Sequence, residues 1–278
     1  MTTAWHGRPD GTFPAPGPAG WARIAWRAPA LALLVFGCLA LLLLLRLAEA
    51  PLHGPRRPWT PSITVFVCRN ALRILGIRRS IAGTPMRRRG AWVANHSSWL
   101  DIFALNSVER IYFVAKAEVA GWAGIGWLAR ATGTVFIERR RTRAAEHRGQ
   151  FEARLRAGHH LVFFPEGTST DGARLLPFKP TLFEAFFTAG IDALAIQPVA
   201  MIWTPPPGAR DQFHGWWGDM DFAPHLLAML AAPAGGAVEL VFGAPVPVAE
   251  GRKAVAAALE GAVRAAMAER RGAEVPAA

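Results

Sequence analysis

Apolar residues fall into three patterns along this chain. The first is Ala28 to Leu45, eighteen residues without a charge, mostly Leu and Ala, with Arg23 and Arg27 before it and Arg46 after it. At a rise of about 1.5 Å per residue such a helix covers about 27 Å, most of a bilayer's hydrocarbon thickness. A cleaved signal peptide would end in small residues, whereas this run ends in Leu-Leu-Leu-Arg-Leu. A buried core helix is the other alternative, and the length of the uncharged run favours a membrane anchor over it. Arginines flank both ends, so charge bias does not orient the segment.

The second pattern is a series of short apolar runs bounded by Gly or polar residues. It predicts strands at Trp92–Ala94, Ile111–Ala115, Thr134–Ile137, Leu161–Phe164, Ala195–Ala200 and Val238–Phe242. The third is helical spacing between those runs, over Leu100–Val108, Trp122–Ala131, Thr142–Arg156, Leu182–Ala189 and Arg252–Arg270. In the last of these Val255, Leu259, Val263 and Met267 recur every four residues and form one apolar stripe. Strand and helix alternate, so the expected fold is α/β, a largely parallel central sheet flanked by helices, with an N-terminal membrane-anchoring helical segment.

The chain divides accordingly. Residues 1–27, rich in Gly, Pro and Ala, read as a flexible basic tail, and 28–76 as the anchoring segment and its linker. Within that linker, Pro51 to Pro61 holds four prolines. Ser62 to Leu75 is amphipathic, either a second membrane-contacting helix or the first helix of the globular part. Residues 77–270 form one domain, and 271–278 a disordered tail.

Composition narrows the partners. Across 278 residues the formal net charge is +11, which favours an anionic partner: nucleic acid, an acidic membrane surface or a phosphorylated small molecule. Eleven Trp against one Tyr, with a mean hydropathy of +0.20, suits a membrane interface better than single-stranded nucleic acid. Arg78, Arg79, Arg87, Arg88 and Arg89 make a dense basic patch, readable equally as a solvated loop or as a contact for phospholipid headgroups. The two cysteines, Cys38 and Cys68, suggest no disulfide framework, and no Cys or His pair has zinc-finger spacing.

The candidate chemistry is concentrated in Asn95-His96-Ser97-Ser98-Trp99-Leu100-Asp101. A strand ends and a helix begins here, and such crevices at the carboxyl ends of strands are where open α/β sheets bind ligands. Ser97 or Ser98 is placed to cap the helix. A carboxylate one helical turn past an imidazole can bond one ring nitrogen, leaving the other to take a proton from a hydroxyl. Three further stretches accompany this pair. Gly133 to Arg140 is a strand running into charge, where the Arg139 guanidinium matches a phosphate or simply opens a solvated helix. Phe163 to Thr170 is an apolar strand ending in Pro165-Glu166-Gly167, followed by hydroxyl residues that can donate to a phosphate. The buried end of that strand requires Glu166 to be paired or used. Ile196 to Ala200 contains Pro198, which by itself reads as an edge or irregular strand.

His96-x4-Asp101, the Phe-Ile-Glu-Arg run ending at Arg139, Phe-Pro-Glu-Gly at 164–167 and the Pro198 strand together resemble, in order and spacing, the four blocks of the glycerolipid acyltransferase family, over roughly Gly90 to Ala200. The first and third blocks are specific; the second and fourth are loose. The resemblance implies a membrane enzyme that moves an acyl chain from acyl-CoA or acyl-carrier protein to a lysolipid hydroxyl, with no cofactor and no metal. It makes His96 the general base, Asp101 its orienting partner, and Arg139, Glu166, Gly167 and Thr168 the acceptor-binding set. Lys116 is similar to a basic position between the first two blocks. The leading expectation is conversion of 1-acyl-sn-glycerol-3-phosphate to phosphatidic acid at the cytoplasmic face of the inner membrane. Anionic membrane lipids are expected as further partners and nucleic acid is not. The runner-up is the same chemistry on lyso-ornithine lipid, because Trp216 to His225 looks like a stretch shared by bacterial subgroups that include such enzymes.

Rival readings are weaker. A serine hydrolase would carry Gly-x-Ser-x-Gly, which is absent. Asp219, Asp221 and His225 resemble a metal cluster, but a turn before a helix explains them better. Trp216 and Trp217 fit a membrane interface or an acyl groove, and His159-His160 reads as loop. A non-catalytic basic membrane-binding protein remains the alternative of a different class.

Overall fold

The computed structural model describes residues 5, 7, 13–122, 124–137, 144–188, 190–191, 193–249 and 251–276. A long apolar helix opens it: α1 (Pro18–Ala32) and α2 (Cys38–His53), joined through a wider π-helical turn at Leu33–Gly37. Next come α3 (Thr60–Ile74), β1 (Arg78–Ala82), β2 (Gly90–Ala94), α4 (Leu100–Asn106), β3 (Ile111–Lys116), α5 (Ile125–Thr132) and β4 (Val135–Ile137). The chain continues through α6 (Ala144–Arg156), β5 (His160–Phe163), α7 (Glu184–Thr188), β6 (Ala195–Thr204), α8 (Phe222–Ala231), β7 (Ala237–Phe242), β8 (Val246–Pro247) and α9 (Arg252–Arg271).

The sheet runs β1-β7-β6-β2-β5-β3-β4, with β8 paired to β6. Among the described residues only the β6–β7 and β6–β8 pairs are antiparallel, so the largely parallel expectation holds. Each face is covered, and β2 shows how: Trp92 and Ala94 join one core with Leu100, Leu105 and Met229, while Ala91 and Val93 join the other with Phe151, Leu155 and Phe183. All five β2 residues are buried, which is why this strand reads as a continuous apolar run rather than an alternation. The α9 stripe of Val255, Leu259, Val263 and Met267 lies in the second core as expected.

Pro198 is not on an edge strand. β6 lies inside the sheet, pairing with β8 through Ala195 and Ile196 and with β7 only from Val199 onward. Pro198 sits where the partner changes, so its missing N–H breaks no ladder there. The Gln197 side chain closes the gap. Its Nε2 donates to the carbonyls of Thr84 (2.9 Å) and Gly243 (2.8 Å), and its Oε1 accepts the Met86 N–H (2.8 Å).

Several expectations are corrected. The helix starts at Pro18, and Ile24 and Arg27 are buried, so residues 18–27 are not a tail. The Arg27 guanidinium donates to the carbonyls of Leu230 and Ala232, docking α1 on the carboxyl end of α8. Phe13 also packs on the His225 ring, at 5.2 Å between centroids. Part of the basic patch is edge strand β1, and Arg79 donates to the carbonyl and hydroxyl of Ser107. His160 is no loop residue but opens β5 and, like His159, is buried. The outer face of α1–α2 leaves Trp21, Trp26, Leu33, Phe36, Leu41, Leu44 and other large apolar side chains exposed. Pro18–His53 is long and apolar enough to cross a membrane and is a candidate anchor.

Candidate active site

His96 follows the carboxyl end of β2, and Asp101 sits in the first turn of α4. The tight turn between them brings Asp101 Oδ2 to 2.8 Å from His96 Nδ1. Asp101 is fully buried, and every donor around it serves the carboxylate. Oδ2 also accepts the N–H groups of Ser97 (2.7 Å) and Ser98 (2.9 Å), and Oδ1 accepts the Trp203 indole N–H (2.8 Å) and the Ser97 hydroxyl (3.3 Å). With the carboxylate acting only as acceptor, Nδ1 carries the ring proton and Nε2 keeps its lone pair. The imidazole remains 22% exposed. One face of it stacks on Phe164, 3.9 Å between centroids and 10° from parallel.

The expected serine cap takes a different form. Trp99 is the N-cap residue and makes no side-chain capping bond, while Ser98 Oγ accepts the Leu100 N–H at 3.3 Å. Asp101 itself gathers the two amides that precede the helix.

The His96 backbone is held on both sides by the loop after β5. Glu166 Oε1 accepts the His96 N–H at 2.6 Å, and the Thr170 N–H donates to the His96 carbonyl at 2.9 Å. The other Glu166 oxygen accepts the Leu176 N–H at 2.9 Å. Glu166 is fully buried, and burial pushes its carboxyl up to about 8, outweighing the two amides that favour ionisation. Where an acceptor contact was expected, both of its oxygens accept main-chain N–H groups. Gly167 turns the loop with φ +73°, and a Cβ there would come to 2.9 Å from Lys179 Nζ. Thr168 is half-buried on the same loop. Lys116 ends β3 on this edge of the sheet. Arg139 lies outside the described residues.

Sequence reasoning missed four contributors. Asn95 clamps β2 to β6, its side chain donating to the Met201 carbonyl (3.0 Å) and accepting the Met201 N–H (2.7 Å). Its place beside His96 was the available signal. Phe164 was visible only as part of its strand. Trp203 and Lys179 carried no local signal, because they reach the site through tertiary folding alone. The Trp216 to His225 stretch is also bound in: the Trp216 N–H donates to the Ser97 carbonyl (2.8 Å), and the Trp99 indole donates to His225 Nδ1 (2.9 Å). His225 Nδ1 is engaged in this way, and among the described residues no group of three His, Cys, Asp or Glu side chains is placed to hold a metal ion. Trp217 is buried as well, donating to the Gly7 carbonyl, and faces no membrane.

This arrangement can take a proton from a hydroxyl at Nε2 while the buried acid supports the positive ring that results. Comparisons with known proteins bear on what it acts on. Residues 80–202 match the sequence model of the Acyltransferase family. The lyso-ornithine lipid O-acyltransferase of Rhodobacter capsulatus is 54% identical over 255 residues, covering 91% of this chain and 92% of that protein. A Neisseria gonorrhoeae 1-acyl-sn-glycerol-3-phosphate acyltransferase is 42% identical over 115 residues, covering 40% of this chain and 45% of that protein. In three dimensions the crystal structure of PlsC from Thermotoga maritima superposes with a TM-score of 0.55 at 19% identity, over 90% of this chain and 100% of that one; it shares the fold. Site geometry, family match and full-length likeness agree, and the chain belongs to the acyltransferase family, as an acyltransferase of lysolipids.

Proposed function

We propose that the chain acylates lyso-ornithine lipid rather than 1-acyl-sn-glycerol-3-phosphate, reversing the order of the two acceptors expected from sequence. The observation that carries this is the 54% identity extending over 92% of the R. capsulatus protein, where the N. gonorrhoeae likeness covers 45% of its protein. The packing of Trp216 to His225 against the catalytic turn supports it, since that stretch is the one the sequence marked as common to such subgroups.

In this reading His96 Nε2 removes the proton of the lysolipid hydroxyl as its oxygen attacks the thioester carbonyl of acyl-CoA or acyl-carrier protein. The tetrahedral intermediate collapses, the C–S bond breaks, and the proton passes from His96 to the departing thiolate. Asp101 holds the ring, and Glu166 with Thr170 holds the backbone beneath it, so the base meets a fixed hydroxyl. Gly167, Thr168 and Lys116 contribute acceptor contacts at the edge of the sheet. In this reading the apolar helix is the anchor, and the enzyme works at the inner membrane with its site facing the cytoplasm.

The experiment is an acceptor panel with labelled acyl donor and the full chain in neutral detergent. The expected result is a kcat/KM for lyso-ornithine lipid well above that for 1-acyl-sn-glycerol-3-phosphate, with neither product formed by His96→Ala. Preference for the phosphate-bearing acceptor, together with loss of turnover in Arg139→Gln, would establish phosphatidic acid synthesis instead.

A further inference from the structure

On the edge of the sheet opposite His96 there is a cavity of about 400 Å³ with a basic wall. It is lined by Arg110 and Tyr112 at the start of β3, His159 just before β5, His53 at the end of α2, and Arg56 and Arg57 beyond it. Among the described residues no carboxylate lines it. β2, β3 and β5 run parallel, so their amino ends meet here and their carboxyl ends carry His96 and Glu166. The length of β5 alone separates the two places by roughly 10 Å.

Two groups in this wall lack the partner their chemistry requires. His159 is 7% exposed, and its ring stacks on Tyr112 at 4.1 Å. Its Nδ1 lies 3.3 Å from a guanidinium nitrogen of Arg154. Guanidinium only donates, so Nδ1 accepts and the ring proton sits on Nε2. That Nε2–H is buried and, among the described residues, has no acceptor. Burial, reinforced by Arg154, Arg57 and Arg46, pulls the ring down to about 4, so it is neutral at physiological pH. Arg57 donates to the Ala131 carbonyl at 3.2 Å, but its Nε is also buried and, among the described residues, without a partner. Burial, with Arg154 next, lowers its pKa to about 10. Buried donors are nearly always satisfied, and buried positive charge is paired or costly. An anion in the cavity would supply the countercharge that its lining lacks among the described residues, with these two donors turned toward it.

The place indicates the anion. The cavity borders the carboxyl end of the apolar helix, where Leu52 and Trp59 are exposed. Exposed Trp beside Arg at the end of an apolar segment is the composition of the headgroup layer. Guanidinium forks match phosphate oxygens in pairs. We propose that this cavity is a second binding site, separate from the acyl-transfer centre, for the phosphate in the headgroup of an anionic membrane lipid. It is read from its own residues and stands whichever acceptor His96 serves.

The test is calorimetric titration of the full chain in neutral detergent with dioctanoyl phosphatidylglycerol, inorganic phosphate and CoA in separate arms. His159→Phe keeps the ring stack and removes the Nε2 donor. Arg110→Gln changes an exposed side chain and spares the core. Lys253→Gln, on α9, removes one positive charge elsewhere. The expected result is saturable lipid binding by wild type and Lys253→Gln, weakened at least tenfold in both His159→Phe and Arg110→Gln with melting temperature held. Unchanged affinity in Arg110→Gln and in a folded His159→Phe overturns the site. Equal weakening in Lys253→Gln reduces it to general charge attraction and also overturns it. CoA or inorganic phosphate binding as tightly as the lipid overturns the lipid assignment.

Discussion

The Trp203 indole reaches across from β6 and donates to Asp101 Oδ1 at 2.8 Å, so the acid that orients His96 is itself tethered by a residue 102 positions downstream. Among the donors to Oδ1, the alternative is the Ser97 hydroxyl at 3.3 Å. A hydrogen bond to a charged group contributes about 1.5–3 kcal/mol. Trp203→Phe keeps the ring and loses the donor, and is expected to lower kcat by roughly tenfold or more with little change in KM. Steady-state kinetics with a labelled acyl donor checks this, and an unchanged kcat would remove Trp203 from the site.

In the proposed mechanism His96 and Asp101 act as one unit, so their losses should not add. General base catalysis contributes roughly 10²- to 10⁴-fold, and His96→Ala is expected to lose that factor. Asp101→Asn replaces an acceptor with an amide that can present its NH₂ to the ring, favouring the wrong tautomer, and should fall in the same range. The double variant should be about as slow as His96→Ala alone. A multiplicative loss would mean that the two residues work independently.

Glu166 gives stability a pH dependence with a definite sign. Burial raises its carboxyl from an ordinary 4.5 to about 8, so the native state holds a proton that the unfolded chain has already released between those values. Its contribution is fully present below about pH 4.5 and is lost as pH rises through about 8. The melting temperature of wild type should therefore carry a downward component across that window. Glu166→Gln should remove that component, and also cost about 1–3 kcal/mol at low pH, because the side chain can no longer accept both the His96 and the Leu176 N–H. Parallel slopes for the two proteins would refute the raised carboxyl.

Gln197 is expected to matter for stability and not for chemistry. Gln197→Leu would strand the Thr84 and Gly243 carbonyls and the Met86 N–H, each bonded now at 2.8–2.9 Å. Leaving buried polar groups unmade costs about 1–3 kcal/mol each, so denaturant unfolding should register a loss of several kcal/mol. Any protein that still folds should retain its KM.

The His96–Asp101 contact was legible because its two members lie within one turn of chain, where sequence spacing and spatial distance are nearly the same thing. The strands were legible for a related reason. Burial on both faces turns β2 and β5 into apolar runs, and the turns between them are marked by Gly and polar residues. What escaped was whatever depends on register across the sheet. Trp203 meets Asp101 only because β6 lies beside β2, with Trp92 opposite Gln197. Edge strand β1 was hidden by its arginines, which read equally as a solvated loop or a headgroup contact, whereas Arg79 binds the Ser107 carbonyl. Glu166 was correctly marked as a charge needing partners, but nothing in its neighbours said that those partners would be main-chain amides rather than a substrate.

The wide turn at Leu33–Gly37 sets the phase of the whole N-terminal rod. Wound as an uninterrupted α-helix at about 100° per residue, Arg27 and Leu39 would stand about 120° apart around the axis. The additional residue accommodated by the wide turn takes back roughly 100° of that. Ile24 and Arg27 before it, and Leu39, Leu42 and Glu49 after it, are thereby aligned along one seam, all of them buried. Glu49 at the far end fastens the seam by accepting the N–H groups of Trp59 and Thr60 and the Thr60 hydroxyl. Deleting Phe36 alone would leave the apolar content of the rod almost unaltered, yet rotate Glu49 about a quarter-turn off its latch and unseat half the rod from the body of the enzyme.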